Sequence, residues 1–345
     1  MKIAKSQLKK VLTILKPMET KDQTIVLETK NNILNIMAKR EGIILKLKAI
    51  KTDEQEAEPM AIKKDFLNKI EKQDAEEFEL KINKKTISSK VNGVSFTTSL
   101  LSEEAIFEIK EEKVEATQFT ITSEIMKALD DATSFVSKDG KKGVLQGILI
   151  RLNENEISVI ATDSIKMYVN RLTTDCNGKE DIIIRPEVIA VLKSIFEVNN
   201  EKPFPVLANK NAILVSSKGM FMKANLFEGT FPDIERVLEN GKSKSLEYKG
   251  TLSDDVIKKL KAIEGKTQIL SLEKTEKEMT FETKSEIETN SFKVKDESEF
   301  AFEKKVNYHS FLNVISIAPN FEVRENLIIF EKEKVKILLM AMLKD

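Results

Sequence analysis

One order of elements recurs three times along this 345-residue chain. A short strand leads into an amphipathic helix and a small meander of strands, and the same series then follows again. Each unit runs to roughly 110–120 residues, too long for a solenoid repeat and about the size of a domain. Residue identity among the units is low, so order and spacing carry the pattern. The chain therefore reads as α+β, with three similar domains at residues 1–115, 116–241 and 242–345, each made of two strand–helix–strand-meander copies.

The clearest copy is Gly147–Leu172, where two apolar-alternating strands meet at a polar turn, Asn153–Glu156. Ala161-Thr162-Asp163 follows, then another alternating run. Thr122–Phe135 precedes it as a helix with Ile125, Leu129 and Ala132 on one stripe. In the first unit Met1–Ala4 reads as a strand, and Ser6 is placed to cap a helix burying Leu8, Val11, Leu12 and Leu15. Strands at Ile25–Leu27, Ile33–Met37 and Ile43–Ile50 lead to a charged linker, Asp53–Glu58. Ala61–Lys72 is expected as a helix with Ile62, Phe66 and Ile70 inward and Lys64 and Lys69 outward. The Asn92-Gly93 turn joins Thr86–Val91 to Val94–Leu100 as a tight hairpin. Pro186 suits the first turn of a helix burying Val188, Val191, Leu192 and Ile195. In the third unit Ser253 caps a helix with Val256, Leu260 and Ile263 inward. Asn307–Ile317 is its second helix and Val335–Leu343 its last strand.

Composition narrows the function classes. Hydrophobic residues make up 41% and charged residues 32%, as in a folded soluble chain. No apolar run reaches membrane-spanning length and Met1–Lys16 carries no small-residue cleavage site, so neither a membrane segment nor a signal peptide is expected. The single Cys176 excludes an internal disulfide and a cysteine metal cluster, and His309 is the only histidine. Gly140-Lys141-Lys142-Gly143 lacks the spacing of a nucleotide-binding loop. Asp163, at a strand-to-turn boundary, reads as a partner for backbone N–H groups rather than a catalytic acid. No catalytic residue, metal or cofactor is expected. The 56 basic and 56 acidic residues balance to +0, which excludes a polycation but permits a basic surface set against acidic ones.

Ala161-Thr162-Asp163-Ser164-Ile165-Lys166-Met167 resembles a signature of the bacterial DNA polymerase III beta subunit (sliding clamp) family, usually Ala-Thr-Asp-Gly-His-Arg-Leu. Gly147-Ile148-Leu149-Ile150 fits that family's preceding strand. Gly229-Thr230-Phe231-Pro232-Asp233-Ile234 is similar to its Gly-x-Phe-Pro-Asp-Tyr stretch, and Met340-Ala341-Met342-Leu343 to its terminal Met-Pro-Met-Arg-Leu. The resemblance spans the chain as a divergent member. Ser164, Ile165, Lys166 and Met167 replace the usual Gly, His, Arg and Leu, and Ala341 replaces a proline.

The resemblance implies a clamp fold and a non-enzymatic processivity factor. A head-to-tail homodimeric ring would encircle duplex DNA without reading sequence, in the cytoplasm at the nucleoid. Its implied partners are the replicative polymerase, the clamp loader and other proteins that carry a short clamp-binding motif. Their groove would be built from Thr162, Ser164, Ile165, Lys166 and Met167, from Pro232, Asp233, Ile234 and Val237 along the interdomain segment, and from Leu338, Met340, Ala341 and Met342. The apolar, Met-rich character of these residues suits an adaptable peptide cleft, although by pattern alone several read as core of their own domains. Lysines on polar helix faces (Lys9, Lys10, Lys16, Lys64, Lys69, Lys127, Lys193, Lys258, Lys259 and Lys261) are the candidates for a DNA-facing lumen, where diffuse phosphate attraction permits sliding. By pattern alone they are also ordinary solvated lysines. Ring closure would use the edge strand at Val94, Phe96 and Leu100 against Ile257 and Leu260, with Leu260 itself reading more readily as core of its own domain. Two other readings stay open: a clamp-fold interaction module without a processive role, and an enzyme on a repeated α+β scaffold.

Overall fold

The computed structural model describes residues 1–51, 56–109, 115–217, 219–264 and 268–342. Asp53, Glu54 and Gln55 of the expected linker and Leu343 of the expected last strand lie outside the described residues.

The chain is a sixfold repetition of one unit, strand–helix–three-strand meander. The first copy is β1 (Lys2–Ala4), α1 (Lys5–Leu15), β2 (Thr24–Lys30), β3 (Ile33–Arg40) and β4 (Ile43–Lys51). The second is β5 (Glu56–Lys63), α2 (Asp65–Glu71), β6 (Glu77–Ile82), β7 (Thr86–Val91) and β8 (Val94–Ser99). The third comprises β9 (Thr117–Ile121), α3 (Ser123–Ala132), β10 (Ile148–Asn153), β11 (Glu156–Thr162) and β12 (Lys166–Thr173). The fourth comprises β13 (Glu180–Ile184), α4 (Pro186–Val198), β14 (Phe204–Ala208), β15 (Ala212–Ser217) and β16 (Met220–Asn225). An additional helix, α5 (Ile234–Ser243), follows. The fifth copy is β17 (Leu246–Thr251), α6 (Asp254–Ala262), β18 (Ile269–Lys274), β19 (Glu278–Lys284) and β20 (Thr289–Lys295). The sixth is β21 (Phe302–Asn307), α7 (Tyr308–Ile317), β22 (Asn320–Arg324), β23 (Leu327–Lys332) and β24 (Val335–Met340).

The chain folds as two compact units: Met1–Met126 with Asn153–Asn155 and Thr174–Phe227, and Lys127–Leu152 with Glu156–Thr173 and Glu228–Asp345. In the first unit, one sheet runs β1-β6-β7-β8 and a longer one runs β5-β2-β3-β4-β16-β15-β14-β9. In the second, one sheet carries the order β10-β11-β12-β24-β23-β22-β17 and a four-stranded sheet runs β20-β19-β18-β21. Lone strands exchange between copies, so β1 completes the second meander and β5 the first. The last strand of a meander is also its joining edge. β4 pairs antiparallel with β16, and β12 with β24. The equivalent strands β8 and β20 are the terminal strands of their sheets.

Helical periodicity explains the core. Leu8, Val11, Leu12 and Leu15 of α1 are buried, as are Val188, Val191, Leu192 and Ile195 of α4, and the two helices pack together. The Asn92-Gly93 hairpin has φ 48° and 82°, the left-handed pair that a two-residue turn requires. Ser253 caps α6 by accepting from Val256 N at 3.4 Å, and Asn307 caps α7 through Ser310 N at 2.9 Å.

Several expectations are corrected. Ala4, not Ser6, precedes α1, and no side chain caps that helix. Ala61–Lys63 is the end of β5, and the helix begins at Asp65. The segments Ile234–Ser243, Phe302–Asn307 and Asn320–Arg324 are a helix and two strands absent from the sequence reading. Lys64 does not point outward. Its side chain is 3% exposed and pairs with Glu19 at 3.1 Å, the residue standing at the N-terminal boundary of α2 where the chain leaves β5. Leu260 is fully buried, and Tyr308 donates its hydroxyl to the Leu260 carbonyl at 2.7 Å, so the residue belongs to its own core.

Candidate functional site

The turn between β11 and β12 is built by two short side chains. Thr162 donates its Oγ1 to the Lys166 carbonyl at 2.8 Å and accepts from Ser164 N at 3.1 Å. Asp163 Oδ1 accepts from Ile165 N at 2.9 Å and from Lys166 N at 2.8 Å. Asp163 thus satisfies backbone donors, as the sequence predicts. Ser164 sits at φ 81°, a region that favours glycine. Lys142, which sequence reasoning missed, fastens the turn from outside through Nζ to the Asp163 carbonyl at 2.8 Å and Ser164 Oγ at 3.2 Å.

The turn presents Ile165, 53% exposed, and buries Met167 beneath it. Lys166 is held between them. Its ammonium lies over the Phe135 ring at 5.2 Å, with Asp163 Oδ2 at 3.9 Å. Burial lowers the Lys166 pKa, partly opposed by the Asp163 carboxylate.

β24 lies directly beside this turn. Lys166 pairs with Leu339 and Met167 with Leu338, and Met340 N donates to the Ile165 carbonyl at 2.9 Å. Beyond the strand end, Ala341 N reaches the Asn326 carbonyl at 2.9 Å and Met342 N the Lys305 carbonyl at 2.7 Å. Met340 and Met342 remain 41% exposed. A small cavity of about 140 Å³ opens here beside Ala341, Met342, Lys304 and Lys305.

Helix α5 forms the other side. Asp233 caps it by accepting from Arg236 N at 3.2 Å. Ile234 and Leu238 are buried, while Val237 is 42% exposed. Glu235 pairs with Arg171 of β12 at 2.5 Å. Gly241 lets the helix approach β24, because a Cβ there would lie 3.2 Å from Leu338 Cδ2. Ile234, Met167, Leu338 and Thr162 are buried. Ile165, Val237, Met340 and Met342 are the apolar side chains left accessible, with Ser164, Pro232 and Asp233 exposed at the borders. The signal for α5 was present in Asp233, a capping residue just ahead of Ile234 and Leu238.

The lysine candidates separate into groups. Lys9, Lys10 and Lys16 on or next to α1 and Lys258 and Lys261 on α6 are exposed. Lys69, Lys127 and Lys259 each pair at 2.7 Å with an aspartate one turn away, Asp65, Asp131 and Asp255. Lys193 on α4 is half-buried. Among the described residues no cluster of three or more His, Cys, Asp or Glu side chains could hold a metal ion, and no helix is long and apolar enough to cross a membrane.

Residues 120–233 match the family described as DNA polymerase III beta subunit, central domain. Sequence relatives include the beta sliding clamp of Buchnera aphidicola, 25% identical over 147 residues, covering 41% of this chain and 38% of that protein. The beta sliding clamp of Staphylococcus aureus is 28% identical over 119 residues, covering 34% of this chain and 31% of its own length. The sequence matches thus span about a third of those relatives. The fold likeness is longer. The Helicobacter pylori beta clamp bound to a DNA ligase peptide superposes with a TM-score of 0.82 at 19% identity, covering 99% of this chain and 100% of that one. The DNA polymerase III subunit beta of Pseudomonas aeruginosa gives 0.86 at 16% identity, covering 99% of both.

Proposed function

We propose that the chain is a divergent member of the beta sliding clamp family and a DNA sliding clamp, a non-catalytic processivity factor that closes as a head-to-tail homodimeric ring. The observation that carries this reading is the pair of unfilled joining edges. Six meanders end in β4, β8, β12, β16, β20 and β24. Four of these strands join in pairs within the chain, and β8 and β20 end four-stranded sheets. Pairing β8 of one copy with β20 of another would make a third long sheet of the same kind. Two different edges make a heterologous contact, which needs a closed arrangement to avoid an open filament. Two chains joined twice supply it. Val94 is half exposed on β8, and an uncovered apolar edge is otherwise an aggregation hazard.

In this reading the three domains are residues 1–115, 116–241 and 242–345, each with two copies of the repeat. Exposed lysines at positions such as Lys9, Lys10, Lys258 and Lys261 face duplex DNA and attract phosphates without fixed base contacts. Lys64 takes no part. The groove flanked by Ile165, Val237, Met340 and Met342 takes a short linear motif with apolar anchors, carried by the polymerase, the clamp loader and other partners. The ligase-peptide complex of the H. pylori relative supports that assignment.

Proline scanning tests ring closure. Along an edge strand, alternate N–H groups point into the sheet and out of it. Of Thr97→Pro and Thr98→Pro, one removes an inward bond and the other an outward one. Sedimentation velocity should give a dimer for the unaltered chain and a folded monomer for the outward substitution. Dimer formation by both folded variants would overturn the assignment of β8.

A further inference from the structure

The turn that presents Ile165 is held by a second loop of the same compact unit. Between α3 and β10, residues 137–147 brace one another. Asp139 accepts from Lys141 N at 3.0 Å through Oδ1, and from Lys142 N at 3.0 Å through its carbonyl. Ser137 N donates to the Leu145 carbonyl at 2.7 Å, and Ser137 Oγ accepts from Asp139 N at 3.2 Å. Gln146 Nε2 closes the loop onto the Gly140 carbonyl at 3.1 Å. Lys142 therefore stands on a cross-linked backbone, and its ammonium reaches the Asp163 carbonyl and Ser164 Oγ. The same loop meets the chain on its way to α5, where Gly229 leaves room for Val144: a Cβ at Gly229 would lie 2.7 Å from Val144 Cγ1.

Ser164 depends on such a hold. At φ 81° it occupies a backbone region that glycine enters freely and a residue with a Cβ does not. The bonds made by Thr162 Oγ1 and Asp163 Oδ1 lie within the turn and move with it. From outside, Met340 N holds the Ile165 carbonyl, one residue beyond the strained position. Lys142 holds the strained residue itself and the one before it, with a charged donor, which makes the stronger kind of hydrogen bond.

We propose that Lys142 is a positioning residue for the peptide groove: it offsets the strain at Ser164 and so fixes how Ile165 is presented. The inference rests on the groove reading above, and two readouts on the full chain separate them. By fluorescence anisotropy with a labelled DNA ligase peptide, Lys142→Met should bind about tenfold more weakly, the loss of one charge-assisted contact, while melting within about 2 °C of the parent chain. Lys142→Arg keeps a cationic donor and should recover most of that loss. Adding Ser164→Gly to Lys142→Met should recover it with no cation at all, because glycine accepts the φ unaided. Hydrogen exchange at the Ile165 and Lys166 amides reads the turn with no peptide present. Lys142→Met should speed it at least about fivefold, and the added Ser164→Gly should slow it again. Unchanged exchange in Lys142→Met would overturn the proposal. So would an affinity loss that Ser164→Gly leaves unrepaired, since the ammonium would then act on the peptide itself. A peptide left unbound by the unaltered chain would sink the groove reading, and the exchange rates would still decide what Lys142 does to the turn.

Discussion

Lys64 carries its ammonium into the first unit, and its carboxylate partner stays wet. Glu19 is 46% exposed by side chain against 3% for Lys64. The hydrogen bond from Lys64 is the largest cause holding the Glu19 carboxyl below its ordinary range, partly opposed by burial. Removing either partner therefore has unequal consequences. Glu19→Ala strands a buried charge and should cost about 3 kcal/mol, whereas Lys64→Met leaves a carboxylate that water can solvate and should cost about 1 kcal/mol or less. Paired thermal melts of the two variants check this. The sign with pH follows from the lowered pKa. The pair's contribution is present above the unfolded carboxylate's range and fades as pH falls through the folded one, so Glu19→Ala should flatten that part of the acid limb. In the proposed groove, Val237→Asp places a charge at an exposed position. Stability should stay within about 0.5 kcal/mol. Affinity for a labelled DNA ligase peptide, read by fluorescence anisotropy, should fall at least about tenfold.

At the scale of the element, the edge strand β20 depends on a buried cation. Lys274, at the end of β18, has a fully buried side chain whose Nζ donates to the carbonyls of Thr275, Asp296 at 2.9 Å and Ser298 at 3.1 Å, with Asp296 Oδ1 at 3.6 Å. Tyr248 donates to the other oxygen of Asp296 at 2.5 Å, and burial pushes that phenol's pKa up. The network pins the chain directly after β20. Lys274→Met should cost about 3 kcal/mol by leaving buried carbonyls unpaired. It should also raise the dimer dissociation constant in sedimentation equilibrium, whereas Lys295→Met, exposed on the same strand, should leave stability unchanged. Elements differ in how plainly the sequence announces them. The hairpins at Asn92-Gly93 and Asn153–Glu156 were legible because strict alternation meets turn residues. α5 was not, because Gly241 interrupts it and Phe231-Pro232-Asp233 reads as a connection. β21 was hidden by its charges, since only Phe302 and Val306 are buried among Glu303, Lys304 and Lys305. Ala61-Ile62 misled because a short apolar run ahead of a helix has no period of its own.

The whole molecule is explained by repetition. Three strand meanders per half of the chain could be recognised from order alone. The exchange of lone strands between copies could not, since it is set by pairing rather than by local pattern. Nor could residue pattern tell a surface lysine from the buried Lys64, because burial of one lysine is set by the tertiary fold and not by its neighbours in sequence. The same limit hid which of the expected groove residues are core, since Met167, Ile234 and Leu338 are buried. At this scale the proposed ring would hold DNA by enclosing it. Enclosure needs no tight or specific contact, and that distinguishes it from every surface-binding alternative. The direct measurement is retention of the protein on a singly nicked DNA circle after assisted loading by its matched clamp loader, followed by linearisation of the same sample. The account predicts retention on the circle and release on cutting. Equal retention before and after the cut would contradict it.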